Sequence, residues 1–442
     1  MSNPSSLPTQ EPLLRVGIIL PEDSRLRASI FLTHPENYVL ETGSGETFIS
    51  PRNNDIIVNA NGRQLVCLHT QSEKLIFKPR SVDSESTILV KNVIAGRGFH
   101  WKKTIDVSLP GKLEITMHQG FLLVVNELPL ETYLACVATS EMSAHCPASL
   151  LEAQTIVARS WVLTGTEKKH ASLGFQVCND DCCQRYQGAN FLTRHARKAV
   201  QATRGQVLTF QGAICDARYS KSCGGRTETF ATIWKNLPPP PYLISLPDFP
   251  AKENSPSYPV GQEEQAYRWI TTSPPAYCSP VYIPEKDLPQ YLGSVDEAGQ
   301  YYRWSQTYHQ DELTNLLRTK TGLPMMAVLG FIPRDRGPSA RLAKLDIVYR
   351  DPQSNEQTFT LSSEYEIRRH LAPHFLFSSA IVFDPPGKQE QPPAAFTLLG
   401  AGWGHGVGLC QIGALGMSLA GRSTTEILSH YYPQTKLESL YS

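Results

Sequence analysis

The chain has no surplus of either charge: Lys and Arg together number 41, and so do Asp and Glu. That balance argues against a nucleic-acid protein or a polybasic membrane binder, which depends on a surplus of basic charge. Nowhere in the 442 residues is there a run of about 18 apolar residues, so no membrane-spanning helix is expected. Residues 1–20 are polar and proline-containing, without the basic start and apolar stretch of a signal peptide. No internal repeat is present. A phosphate loop with its Lys-Ser/Thr ending and a Gly-x-Ser-x-Gly nucleophile elbow are also missing, which argues against nucleotide binding and elbow-type serine hydrolysis. The ten cysteines are scattered except at 178–183, and the chain is too long for a disulfide-stapled miniature domain.

The length is enough for about two or three domains. Residues 1–12 read as a flexible tail. From 13 to 108, short β-favouring runs alternate with turns such as Asn61-Gly62, which predicts a β-rich N-terminal domain. The runs Lys112–Met117 and Gly120–Asn126 predict a hairpin leading into a helix that ends near Glu141. A second helix is expected after Pro147, with Ser149 and Glu152 in capping-box spacing. Residues 109–442 read as one mixed core carrying a proline-rich insertion at 236–300 that opens on Pro238–Pro241. The fold class expected is α+β.

Glu141 stands out within this frame. At helical period it shares an apolar stripe with Leu134, Val137 and Ala138. A carboxylate on that face is either a helix-end acid whose head reaches water, or a group buried for chemistry. On the next helix Gln154 also interrupts an apolar stripe, and two inward polar groups suggest a built pocket.

Three further groups of residues invite a chemical reading. Gly402-Trp403-Gly404-His405-Gly406-Val407-Gly408 is either a loop whose tryptophan stacks on a sugar or a tight bulge with a core tryptophan. Tyr219 to Glu228, with Ser222, Gly224 and Gly225, is either a substrate-bonding turn or a plain one. His170, Cys178, Cys182 and Cys183 supply one imidazole and three thiols, either a tetrahedral zinc set or a group of buried thiols. A Cys/His hydrolase built on His405 or Cys410 has no recognisable third member.

These blocks, taken in order, carry a resemblance. Ser140-Glu141-Met142 and Glu152–Trp161, then Asp181–Gly188, Ala199–Leu208, Tyr219–Glu228, Gly402–Ala414 and His430-Tyr431-Tyr432-Pro433, are similar to the signature of stage II sporulation protein D (SpoIID) and the LytB amidase enhancers. The resemblance spans roughly residues 110 to 440. It implies a peptidoglycan lytic transglycosylase, a lyase that cuts between N-acetylmuramic acid and N-acetylglucosamine, with Glu141 as catalytic general acid and base. It further implies glycan contacts from Gln154, Arg159, Tyr219, Ser222, Gly224, Gly225, Trp403, Gly404, His405 and Gly406. It makes His170, Cys178, Cys182 and Cys183 the candidates for one structural zinc, with no cofactor required by the chemistry. Peptidoglycan strands are the implied substrate, a cell-wall amidase the implied partner, and the cell envelope the implied location. The alternative within the family is a non-catalytic wall-binding enhancer of an amidase.

Overall fold

The structure is a computed structural model that describes residues 8–49, 54–81, 86–98, 102–165, 168–250, 260–293 and 299–441. The fold is α+β, with a strand-rich N-terminal region. Residues 1–7 of the expected tail, and 251–259 and 294–298 of the expected insertion, lie outside the described residues. The remainder of the tail is anchored. The Glu11 carboxylate accepts hydrogen bonds from the Glu131 amide at 2.9 Å and from Arg204 Nη2 at 2.6 Å. It thereby satisfies one of the free amides at the start of helix α1 (Leu130–Glu141).

Two sheets form the N-terminal part. One runs, in spatial order, Val177–Cys178, Leu13–Ile19, Phe121–Pro129, Lys112–His118, Leu75–Pro79, Tyr38–Thr42 and Thr47–Ile49. The other holds Lys103–Pro110, Thr87–Ala95, Arg27–Leu32, Asp55–Asn61, Gln64–Cys67 and Thr70–Ser72. Alternate side chains such as Ala28, Ile30 and Leu32 point into the shared core. The expected hairpin is present. Its strands Lys112–His118 and Phe121–Pro129 turn at Gln119 and Gly120, both at positive φ, which suits the twist of a two-residue turn. Because this hairpin shares a sheet with N-terminal strands, the division expected at 108/109 runs through that sheet.

Helix α1 is buried nearly all round because it is wedged between two cores. Leu130, Tyr133, Leu134 and Val137 belong to the sheet core. Helix α2 (Ala148–Thr164) turns Leu150, Leu151, Ile156 and Val157 into a second core, shared with helices Gln411–Leu419 and Thr424–Tyr431. The capping box expected at its start does not form, because Pro147 occupies the cap position and no side chain caps it. Ser149 instead bonds the Ser418 hydroxyl, and Glu152 accepts from Thr424 Oγ1 at 2.6 Å, so both residues hold neighbouring helices. Helix α3 (Arg194–Ala202) packs against α1 and α2.

Residues 303–401 build a third core of their own. Strands Arg303–His309, Ile381–Asp384 and Ala395–Ala401 form one sheet, and Ala327–Arg336, Leu342–Arg350, Glu356–Leu361 and Gly387–Lys388 another. The chain therefore leaves the second core, builds this body, and returns for the glycine-rich loop. Among the described residues no helix is long and apolar enough to cross a membrane.

One buried ion pair fastens α1 to α2. Arg159, 0% exposed, donates through Nε and Nη2 to the two carboxylate oxygens of Glu131 at 2.9 and 2.5 Å. Tyr441 Oη adds a donor to Glu131 at 2.7 Å. Replacing Arg159 with Met strands a buried carboxylate, and a loss of about 3–5 kcal/mol in denaturant unfolding is expected. Replacing Glu131 and Arg159 together by apolar residues should cost much less than the single change.

Candidate active site

Glu141 is the last residue of α1 and is 7% exposed. A carboxylate so placed must find donors, and three reach it from three distant segments. The Arg185 amide and the Tyr219 hydroxyl each donate to Oε1 at 3.0 Å. Gln411 Nε2 donates to Oε2 at 3.3 Å and to Gln154 Oε1 at the same distance. Lys221 Nζ donates to the Glu141 carbonyl oxygen at 2.5 Å, pinning the helix end. Burial above all, then the Glu141 charge, pushes the Tyr219 phenol well above its ordinary range. Tyr219 is therefore a proton-bearing donor to the carboxylate.

The glycine-rich loop closes the site from the other side. Strand Tyr219–Ser220 runs parallel to Leu409–Cys410, and Ser222 and Trp403 exchange backbone hydrogen bonds at 2.9 and 2.8 Å. Arg341, fully buried and delivered by the inserted body, donates to the carbonyls of Ser222, Cys223 and Gly404. Gly406, at φ 77°, faces that guanidinium so closely that a Cβ there would lie 2.4 Å from its central carbon. Trp403 is mostly buried and stacks on Tyr301 with ring centroids 4.5 Å apart. Lys221 Nζ and the Arg185 guanidinium each lie 5.8 Å from the centre of its ring. His405 sits edge-on to Trp234, and its Nδ1 accepts from the Val407 amide at 3.0 Å. Burial first, then the charges of Arg218 and Arg341, holds its imidazole well below the usual range, so it is neutral.

Comparison with known proteins bears on this geometry. Residues 118–210 match the family of stage II sporulation proteins, SpoIID, a segment that includes Glu141, Gln154 and Arg185. The chain carries a SpoIID domain. Residues 228–408 match a domain of unknown function (DUF8618), a span that takes in the inserted body and the whole glycine-rich loop. The chain is 27% identical over 320 residues to the amidase enhancer of Bacillus subtilis, covering 69% of this chain and 40% of that protein. It is 23% identical over 322 residues to stage II sporulation protein D of Bacillus amyloliquefaciens, covering 70% of this chain and 74% of that one. The Bacillus subtilis stage II sporulation protein D is 29% identical over 192 residues, 40% of this chain and 53% of its own length.

Residues expected to act together separate into three groups. Tyr219 touches Glu141 directly, and Gln154 reaches it through Gln411. Ser222, Gly224, Gly225, Trp403, Gly404, His405 and Gly406 form the two clasped loops beside it. Arg159 is elsewhere, committed to Glu131 and to the Gln206 carbonyl. Three residues of the cluster, Arg185, Lys221 and Gln411, were not singled out from the sequence, although each lies within a matching block. For Gln411 the available signal was a polar residue at a helix start, just after the glycine-rich loop; Lys221 had no local signal beyond its matching block.

His170, Cys178, Cys182 and Cys183 do converge, with one ligand atom from each lying within 4.8 Å of the others. Cys183 Sγ and Cys182 Sγ lie 3.4 and 3.9 Å from His170 Nε2. Hydrogen bonds to Cys182 and Cys183 push the Cys178 thiol far up, while those from Cys178 and Cys183 hold Cys182 far down. Three thiols and an imidazole nitrogen are the donor set of a tetrahedral zinc, although the Cys178 and Cys182 sulfurs, 2.9 Å apart, would have to separate toward the ~3.8 Å edge of such a site. The loop they occupy runs straight into Gln184 and Arg185, so closing it would fix the amide that binds Glu141. Gln184 adds to this, accepting from Tyr133 Oη at 3.0 Å and donating to the Ala158 carbonyl at 3.2 Å.

Gly406→Ala should destabilise the chain by about 2 kcal/mol or more, combining a left-handed backbone with displacement of Arg341. Denaturant unfolding of the variant against Gly421→Ala, an exposed positive-φ position with open space around it, separates the two contributions.

Proposed function

We propose that this chain is a peptidoglycan lytic transglycosylase in which Glu141 is the catalytic general acid and base. One observation carries the reading: Glu141 is buried at a helix end where Arg185, Tyr219 and Gln411, from three separate blocks of the chain, all converge on its carboxylate. The SpoIID match and the two relatives named stage II sporulation protein D support it. In this scheme Glu141 protonates the oxygen bridging N-acetylmuramic acid to N-acetylglucosamine while an oxocarbenium-like centre develops. The resulting carboxylate then takes the proton of the muramic 6-hydroxyl, whose oxygen closes onto that centre to form a 1,6-anhydro ring. Water is not consumed, so no second carboxylate is needed to activate one, unlike the paired-carboxylate hydrolases.

Half-buried Tyr219, Gly404 and His405 are the members of the cluster available to a glycan, and the neutral imidazole offers hydrogen bonding without charge. Trp403 has its ring against Tyr301, so its part is to hold the clasped loops rather than to present an open stacking face. A structural zinc held by His170, Cys178, Cys182 and Cys183 would keep Arg185 in place and supply no chemistry. The implied location is the cell envelope.

The relative named amidase enhancer favours a second reading, a wall-binding protein that stimulates a separate amidase. Incubation with glycan strands stripped of stem peptides distinguishes the two. Native protein should release anhydro-muramyl ends detectable by mass spectrometry, and Glu141→Gln should lower the rate by about 10²–10⁴-fold or more. Equal inactivity of the two proteins with retained glycan binding would replace the enzyme by the enhancer.

A further inference from the structure

A second group of metal-ligand side chains lies behind the site, independent of what Glu141 does. Cys223 follows the Lys221-Ser222 turn, Asp248 and Cys278 come from the proline-rich insertion, and Cys410 caps helix Gln411–Leu419. All four are buried, and one ligand atom from each lies within 4.8 Å of the others. The geometry points to a second, fully protein-ligated structural zinc site formed by Cys223, Asp248, Cys278 and Cys410.

Distances and surroundings support this assignment. Cys223 Sγ and Cys278 Sγ are 3.8 Å apart. That is about the edge, ~3.8 Å, of a tetrahedron with zinc–sulfur bonds of about 2.3 Å, and far beyond a disulfide bond. Cys410 Sγ accepts two backbone N–H bonds, from Cys223 at 3.1 Å and Gly413 at 3.2 Å, the outer-shell pattern that orients a ligating thiolate. Asp248 is oriented in the same way, with Tyr431 Oη donating to Oδ1 at 2.6 Å and the Cys278 amide to Oδ2 at 3.0 Å. Both donors are neutral, so neither supplies the positive charge that a buried carboxylate among thiols calls for. Gly413 makes room, since a Cβ there would come within 2.6 Å of Asp248 Oδ1. Soft thiolates with one carboxylate select zinc over magnesium or calcium, and four protein ligands leave no open position for catalysis.

Such an ion would bolt the insertion to both loops of the site. Cys223 follows Lys221 by two residues and Cys410 directly precedes Gln411, so the metal would hold the backbone from which both reach Glu141.

The test is a metal count on the full chain expressed with zinc and purified without chelator. Elemental analysis should give one zinc retained in Cys182→Ser/Cys183→Ser, which disables the other cluster, and that zinc should be lost when Cys278→Ser is added. Cobalt loaded into the double variant should give the intense sulfur-to-metal and tetrahedral bands of a thiolate site. Peptide mapping of the native protein covers the case in which a variant fails to fold. There, Cys223, Cys278 and Cys410 should resist alkylation until a chelator is added. A double variant that folds without metal, alkylation unaffected by chelator, or a disulfide-linked Cys223–Cys278 peptide would overturn the assignment.

Discussion

Glu141 needs donors because a carboxylate taken out of water is costly until its lone pairs are occupied. Only one of them, Gln411, comes from a helix; the others come from the segment after the His170–Cys183 loop and from the two-residue strand Tyr219–Ser220. Meeting this requirement forces segments separated by as much as 270 residues to converge. The parallel pairing of Tyr219–Ser220 with Leu409–Cys410, the Ser222–Trp403 backbone exchange and the grip of Arg341 on three carbonyls all serve that convergence.

Local patterning made some of this legible. The hairpin at 112–129 follows from alternation around a permissive turn, and the inward position of Glu141 follows from the stripe it shares with Leu134 and Val137. Arg159 shows where a motif falls short. It lies five residues beyond Gln154, about 140° around a helix, so the two cannot both face one pocket. The expected capping box failed because Pro147 takes the cap position; Ser149 and Glu152 have the spacing but lie inside the helix, where they hold partners across the helix interface.

Long-range organisation was less visible. Residues 303–401 read as part of the one mixed core expected over 109–442, whereas they close a core of their own, because such a core is a property of contacts rather than of composition. The Cys223–Cys410 contact joins positions 187 apart and leaves no spacing signature. The cluster at 178–183 was legible because its thiols are neighbours in sequence as well as in space.

Arg341 gives the inserted body a double allegiance. The body has its own core, yet the residue just before its strand Leu342–Arg350 is a structural part of someone else's loop. A graft that exchanged the body for another of similar size would therefore have to reproduce one guanidinium at one depth, while the exposed turn at Pro352–Asn355 is open to lengthening or fusion. Within one small module, the inward edge is bound to drift in step with the motif loops and the outward edge is at liberty to diverge.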